Sequence, residues 1–118
     1  MTFDTVALCR DNPGPGPMIA AMLAAGEELL VDTVEEGRLV QLRHPVDGRL
    51  LLTTEGARLV QVAGEARRLL GIDRADVPHP VWWVESRAPD DDPAAEAAAR
   101  QFTSALVSVV GGVAWANR

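Results

Sequence analysis

The residues able to do chemistry are few, and none stands in a spacing that compels it. His44 and His79 are the two histidines, and each precedes a proline. With Glu85 and Asp73 they could build an acid–base or metal site if the fold brought them together, since imidazole and carboxylate groups both move protons and ligate metals. No ligand-like spacing joins them, so turn and loop roles are the simpler expectation. Glu85 is the most interesting acid, because it ends an apolar run at the place where sites on α/β sheets tend to form. Arg87 stands two residues on, and an ordinary ion pair is the plainer reading. Ser86, Ser104 and Ser108 are the serines, and none lies in a Gly-x-Ser-x-Gly elbow. The single cysteine, Cys9, rules out an internal disulfide. Its neighbours Val6-Ala7-Leu8 predict a buried thiol that packs as a small hydrophobe.

The loop Pro13-Gly14-Pro15-Gly16-Pro17 falls where phosphate cradles occur, between a predicted strand and a predicted helix. It lacks the Gly-Lys-Ser/Thr of a P-loop and the spacing of a dinucleotide fingerprint. Its prolines also remove amide donors that an anion nest needs, so a rigid connector is the better reading. No catalytic residue, metal or cofactor is expected.

The elements that must position these groups form one domain over residues 1–118. With 47% hydrophobic residues the chain suits a globular fold. Its longest apolar run, around Ala105 to Val110, is too short for a membrane span. The opening Met1-Thr2-Phe3-Asp4 lacks the basic-then-apolar pattern of a signal peptide, so a cytoplasmic location is expected. All 11 basic residues are arginine, and lysine is absent. With the abundant alanine, this reads as codon bias in a GC-rich genome, as in an actinobacterium.

Charge is unevenly placed. Residues 1–37 hold seven acids and one arginine, residues 38–78 seven arginines and five acids, and residues 79–118 three arginines and five acids. A net charge of −6 argues against nucleic acid as the main ligand, because phosphate neutralisation dominates such binding. The acidic first third would suit a basic partner.

Periodicity predicts α/β (α+β) architecture in the order β-α-β-β-β-α-β-α-β. The expected form is a mixed sheet with a central antiparallel meander and a C-terminal βαβ unit. Phe3 to Cys9 reads as a strand. Met18, Ile19, Met22 and Leu23 give a helical stripe after Pro17, running to about Glu28. Leu29 to Val34 is extended. Leu39–Arg43 and Leu50–Thr53 flank Asp47-Gly48, a hairpin turn, and Glu55-Gly56 makes a second turn into Arg58–Val62. Gly64 to Leu70 is a short helix stopped by Gly71. A last helix begins at Asp92 as N-cap with Pro93 at its first position. Its predicted buried stripe is Ala95, Ala98, Phe102, Leu106 and Val109, and Glu96 and Arg100 form an exposed pair. Gly111 ends it before the strand Val113–Ala116.

Trp82 and Trp83 are adjacent on a strand, so they point to opposite faces. Either helices cover both faces of the sheet, or one tryptophan sits in an apolar patch open to a partner. Trp115 extends the layer of one of the pair. On the patch reading, Trp82, Trp83, Trp115, Glu85 and Arg87 form a partner-binding surface.

The segments Pro80-Val81-Trp82-Trp83-Val84-Glu85-Ser86-Arg87-Ala88 and Gly48-Arg49-Leu50-Leu51-Leu52 resemble small actinobacterial proteins of unknown function from type VII secretion neighbourhoods. The resemblance spans roughly the last two thirds of the chain and assigns no functional residues. It implies an accessory or immunity-type role. The expectation is therefore a non-catalytic protein-interaction module: a secretion accessory, a toxin-neutralising protein or an assembly subunit. Two alternatives stand beside it. One is a small enzyme using His44, His79, Glu85 and Asp73 at the sheet edge. The other is a homodimer formed through an open sheet face or the edge strand Val113–Ala116.

Overall fold

The computed structural model describes residues 2–118 as three helices and seven strands in one sheet. In chain order these are β1 (Thr2–Cys9), α1 (Pro15–Ala25), β2 (Leu30–Val34), a 3₁₀ turn at Glu35–Gly37, β3 (Leu39–Arg43) and β4 (Leu50–Glu55). There follow β5 (Arg58–Val60), α2 (Glu65–Leu70), β6 (Val81–Pro89), α3 (Pro93–Val110) and β7 (Gly112–Ala116). The strands lie in the order β2-β3-β4-β6-β1-β7, with β5 also on β6. Every hydrogen-bonded neighbour pair is antiparallel. The parallel strands of the C-terminal βαβ unit, β6 and β7, therefore flank β1 rather than touch each other.

Of the expected meander the β3–β4 hairpin holds, with β2 added on its outer side, but Glu55-Gly56 is not a turn. Thr53 and Thr54 oppose Arg87 and Ser86, and Arg58 to Val60 oppose Trp83 to Val81. The pairing slips by a single residue across Gly56, so β4 and β5 are one strand broken by a bulge. The Asp47-Gly48 turn is as expected, with Gly48 at φ 72° and its N–H donating to His44 O.

Alternation along the strands separates two layers. Phe3, Ala7 and Cys9 of β1, Val84 and Ala88 of β6, and Leu42 and Leu52 of the meander pack beneath α1 and α3. Val6, Leu8, Val81, Trp83 and Val113 face the other way, under Ala66 and Leu70 of α2 and the following loop residues Ile72 and Val77. Two short polar chains cross the first layer. Thr103 Oγ1 lies 2.7 Å from Thr5 Oγ1 and 2.9 Å from Ala99 O. One hydroxyl carries one proton, so Thr103 donates to Ala99 and accepts from Thr5. Ser86 Oγ donates to Thr54 Oγ1 at 3.1 Å.

Local chemistry accounts for the helix ends. α1 starts two residues before Pro17, because Pro15 and Pro17 both fall in the first turn where amide donors are unused. It stops at Gly26 rather than Glu28, where the Gly26 N–H meets Met22 O and Leu23 O. In α3 the buried stripe ends on Val110, and Val109 is exposed, because the row steps by four from Leu106. Gly112 has φ 130°, and a Cβ there would sit 1.9 Å from Leu8 O. Only glycine lets β7 pass so close to β1.

Candidate functional site

The groups singled out for chemistry are not brought together. His44 sits at the end of the β3–β4 hairpin, where its Nδ1 accepts the Val46 N–H at 3.2 Å and lies 3.5 Å from Asp47. His79 lines a different depression, with residues of the α2 segment and Val81. Glu85 accepts from Trp83 Nε1 at 3.3 Å and from Arg87 at 2.9 Å. No hydrogen bond or ion pair joins any two of His44, His79, Glu85 and Asp73, so they do not converge as the enzyme alternative requires. There too, no group of three His, Cys, Asp or Glu side chains is placed to hold a metal ion. Ser86 is buried in its hydroxyl pair, and Ser104 and Ser108 are exposed on α3.

Cys9 is fully buried, and loss of solvation pushes its thiol up to about 11. A nucleophilic cysteine needs the opposite shift.

A depression between α3 and β7 gathers Thr5, Thr103, Ser104, Arg100 and Arg118, a donor set that would suit an anion. Its two guanidiniums are already engaged. Both lie over the Phe3 ring, at 4.7 and 5.0 Å, and both donate to Glu96. Arg118 and then Arg100 hold the Glu96 carboxyl below its ordinary range.

The tryptophans point to opposite faces as their adjacency requires. Trp83 is 5% exposed in the α2 layer, with Arg58 5.9 Å from its ring centre. Trp82 is half-buried against the α1–α3 core, and Trp115 half-buried on the Trp83 side. Helical segments thus cover both faces at Trp82 and Trp83. Glu85, Arg87 and Trp115 lie on the second face, where Arg87 is exposed.

Large apolar side chains are exposed elsewhere, singly at Val46, Leu59, Val62, Leu69 and Val109 and in pairs on α1 and β2. α1 carries no charged residue along Pro15–Ala25. Ala21 is buried, and Met18, Met22 and Ala25 pack on the core, whereas Ile19 and Leu23 stand 55% and 52% exposed. The four-residue stripe read from the sequence therefore splits, half inward and half outward. Met18, Ile19 and Met22 share a groove of about 420 Å³ with Val40 of β3 and Ala57. Beside β3 runs β2, an edge strand with Val31, opposite Leu42 on the α1 face, 55% exposed, and Leu30, on the other face, 50% exposed. Among the described residues nothing pairs with its outer edge.

Acidic residues flank β2 in sequence. Glu27 and Glu28 follow α1, Asp32 sits in the middle of β2, and Glu35 and Glu36 form its exit turn. Arg43 pairs with Asp32 at 3.2 Å and Arg38 with Glu35 at 3.4 Å. Glu27, Glu28 and Glu36 have no ion-pair partner among the described residues. No protein family, curated protein or solved structure matches this chain. The candidate site therefore rests on its own geometry: an uncharged helix face and an open strand edge flanked in sequence by acids.

The sequence stripe of Met18, Ile19, Met22 and Leu23 marks α1 as a helix without assigning its outward half to a surface. The available signal was the helix's lack of charge on every side. Such a helix is either buried all round or covered by something else.

Proposed function

We infer that this chain is a non-catalytic protein-interaction module that binds through the α1–β2 end of its sheet. The observation that carries the reading is α1 itself, uncharged over its whole length yet half-exposed at Ile19 and Leu23. Exposed apolar surface bordered by charge is the usual make-up of a binding patch, with the apolar centre supplying affinity and the rim supplying selectivity. The resemblance to proteins of type VII secretion neighbourhoods supports a secretion-accessory or toxin-neutralising role, in the cytoplasm. Among the described residues no helix is long and apolar enough to cross a membrane.

The test is a paired substitution, Ile19→Asp with Leu23→Asp. Both side chains are more than half exposed, so the fold should persist, with a thermal midpoint within a few degrees of the parent. Chemical cross-linking in the producing cell should then show a discrete partner on the parent chain and lose it on the variant. An unchanged cross-linked partner would sink the assignment of the site to α1.

A further inference from the structure

Resting on that reading of the α1–β2 end as a binding surface, we propose that β2 receives an extended, basic segment of a partner protein as an added antiparallel or parallel strand. The partner's backbone completes the sheet, its apolar side chains lie beside Val31 and α1, and its basic side chains meet Asp32 and the acids of the turns at either end of the strand, Glu28 and Glu36.

The edge is unguarded in the ways that matter for pairing. Natural edge strands are protected by proline, lysine or other charges, shortness, bulges or a covering element. β2, Leu30-Val31-Asp32-Thr33-Val34, has no proline, lysine or bulge, and every residue from Leu30 to Thr33 is exposed. Its pairing with β3 is regular from Leu30↔Arg43 to Val34↔Leu39. Its one charge, Asp32, is held back by Arg43 on the inner neighbour. The outward amides and carbonyls therefore stand ready as a template, and strand addition supplies affinity through them while alternate side chains supply selectivity.

Charge decides what occupies the edge. A second copy is the obvious occupant of any open strand, and the acids count against it. In an antiparallel self-pairing centred on Asp32, that residue faces its own copy, and the turn holding Glu28 in one copy comes beside the turn holding Glu36 in the other. Like charges directly opposed across strands are destabilising. The same three positions become favourable once the incoming strand carries arginine or lysine. The distant edge, β7, has no acid in Gly112–Ala116, and the nearby Glu96 is already paired with Arg100 and Arg118. A basic segment is thus directed to β2 and not to β7.

The experiment uses the full chain and three synthetic peptides: one alternating valine and arginine, one alternating valine and glutamate, and a proline-interrupted form of the first. Amide hydrogen exchange is read at Leu30–Val34. The expected result is exchange slowed about tenfold or more by the valine–arginine peptide. The other two should leave it unchanged, since one is repelled and one cannot complete a ladder. Glu28→Arg with Glu36→Arg should reverse the preference in favour of the glutamate peptide. Equal protection by the basic peptide and its proline form would overturn strand addition, leaving charge attraction alone. Protection at β7, or none, would overturn it as well. Protection of Leu30–Val34 that rises with protein concentration without peptide would assign the edge to a second copy. If β2 exchange is unmoved while the Ile19→Asp, Leu23→Asp variant still loses its cross-linked partner, strand addition fails and the α1 surface stands.

Discussion

Cys9 shows most directly how a single residue's environment decides its use. The thiol is buried on β1 with only Ala7 O nearby, at 3.7 Å, and burial lifts it from 9.0 to about 11. Below pH 9 the thiol is protonated in both folded and unfolded chains and contributes no pH dependence. Between pH 9 and about 11 the unfolded chain releases the proton and the folded one keeps it, so stability falls as pH rises through that window. The slope should approach about 1.4 kcal/mol per pH unit. The absence of lysine and tyrosine makes the measurement clean, because no other side chain titrates over the same range. Urea unfolding across that range should show the fall in the parent and its loss in Cys9→Ala. A flat profile in the parent would mean that the thiol reaches solvent. The two tryptophans make the same point without titration: one sequence pattern, two adjacent indoles, and neighbouring helical segments that enclose them from opposite sides.

Among the elements, α3 owes its start to Asp92. The carboxylate accepts the N–H groups of Ala94 and Ala95 at 3.0 and 3.4 Å. It also accepts from Arg49 Nε at 2.8 Å, and Arg49 in turn grips Asp47 in the β3–β4 turn. The cap is therefore also a tie between hairpin and helix. Asp92→Ala should cost about 1–2 kcal/mol in urea unfolding, whereas Asp92→Asn should keep most of the cap and lose the ion pair. The Arg49 hydrogen bond, first among several causes, holds the Asp92 carboxyl below its ordinary 3.8. Its contribution is thus fully present above pH 4 and is lost as pH falls through and below that value. An Asn variant with the parent's acid sensitivity would argue that other carboxylates set the acid limb. The β2–β3 turn is built differently. Glu35 and Glu36 hold φ of 51° and 59°, left-handed values that glycine or asparagine adopt at less cost. Two glutamates therefore stand in a strained turn beside the open edge, at the rim of the proposed site.

For the whole molecule, charge and edge geometry together predict behaviour in solution. The sheet edges left open among the described residues and an exposed apolar helix invite self-association, and a net charge of −6, concentrated in the first third, opposes it. Light scattering should find a monomer at low ionic strength and a growing dimer fraction as salt rises, since screening shortens to roughly 8–10 Å near physiological conditions. A dimer that weakens with salt would instead mean that opposite charges hold the copies together. Much of this architecture was legible in the chain. Asp92-Pro93, Gly71, Gly111 and Asp47-Gly48 act through their own backbone preferences, and so mark helix ends and a turn wherever they occur. The alternation around Trp82 and Trp83 likewise placed them on opposite faces, and the structure decided that both faces are covered there. What the sequence could not reveal was non-local. Gly56 reads as a turn, but as a bulge it depends on β6 lying alongside. The inward and outward halves of α1's stripe are chemically alike, and only the position of α3 separates them. Glu85, His44, His79 and Asp73 are equally reactive on paper. Their separation follows from strand order, because which edges and faces meet depends on contacts between distant segments that local periodicity does not encode.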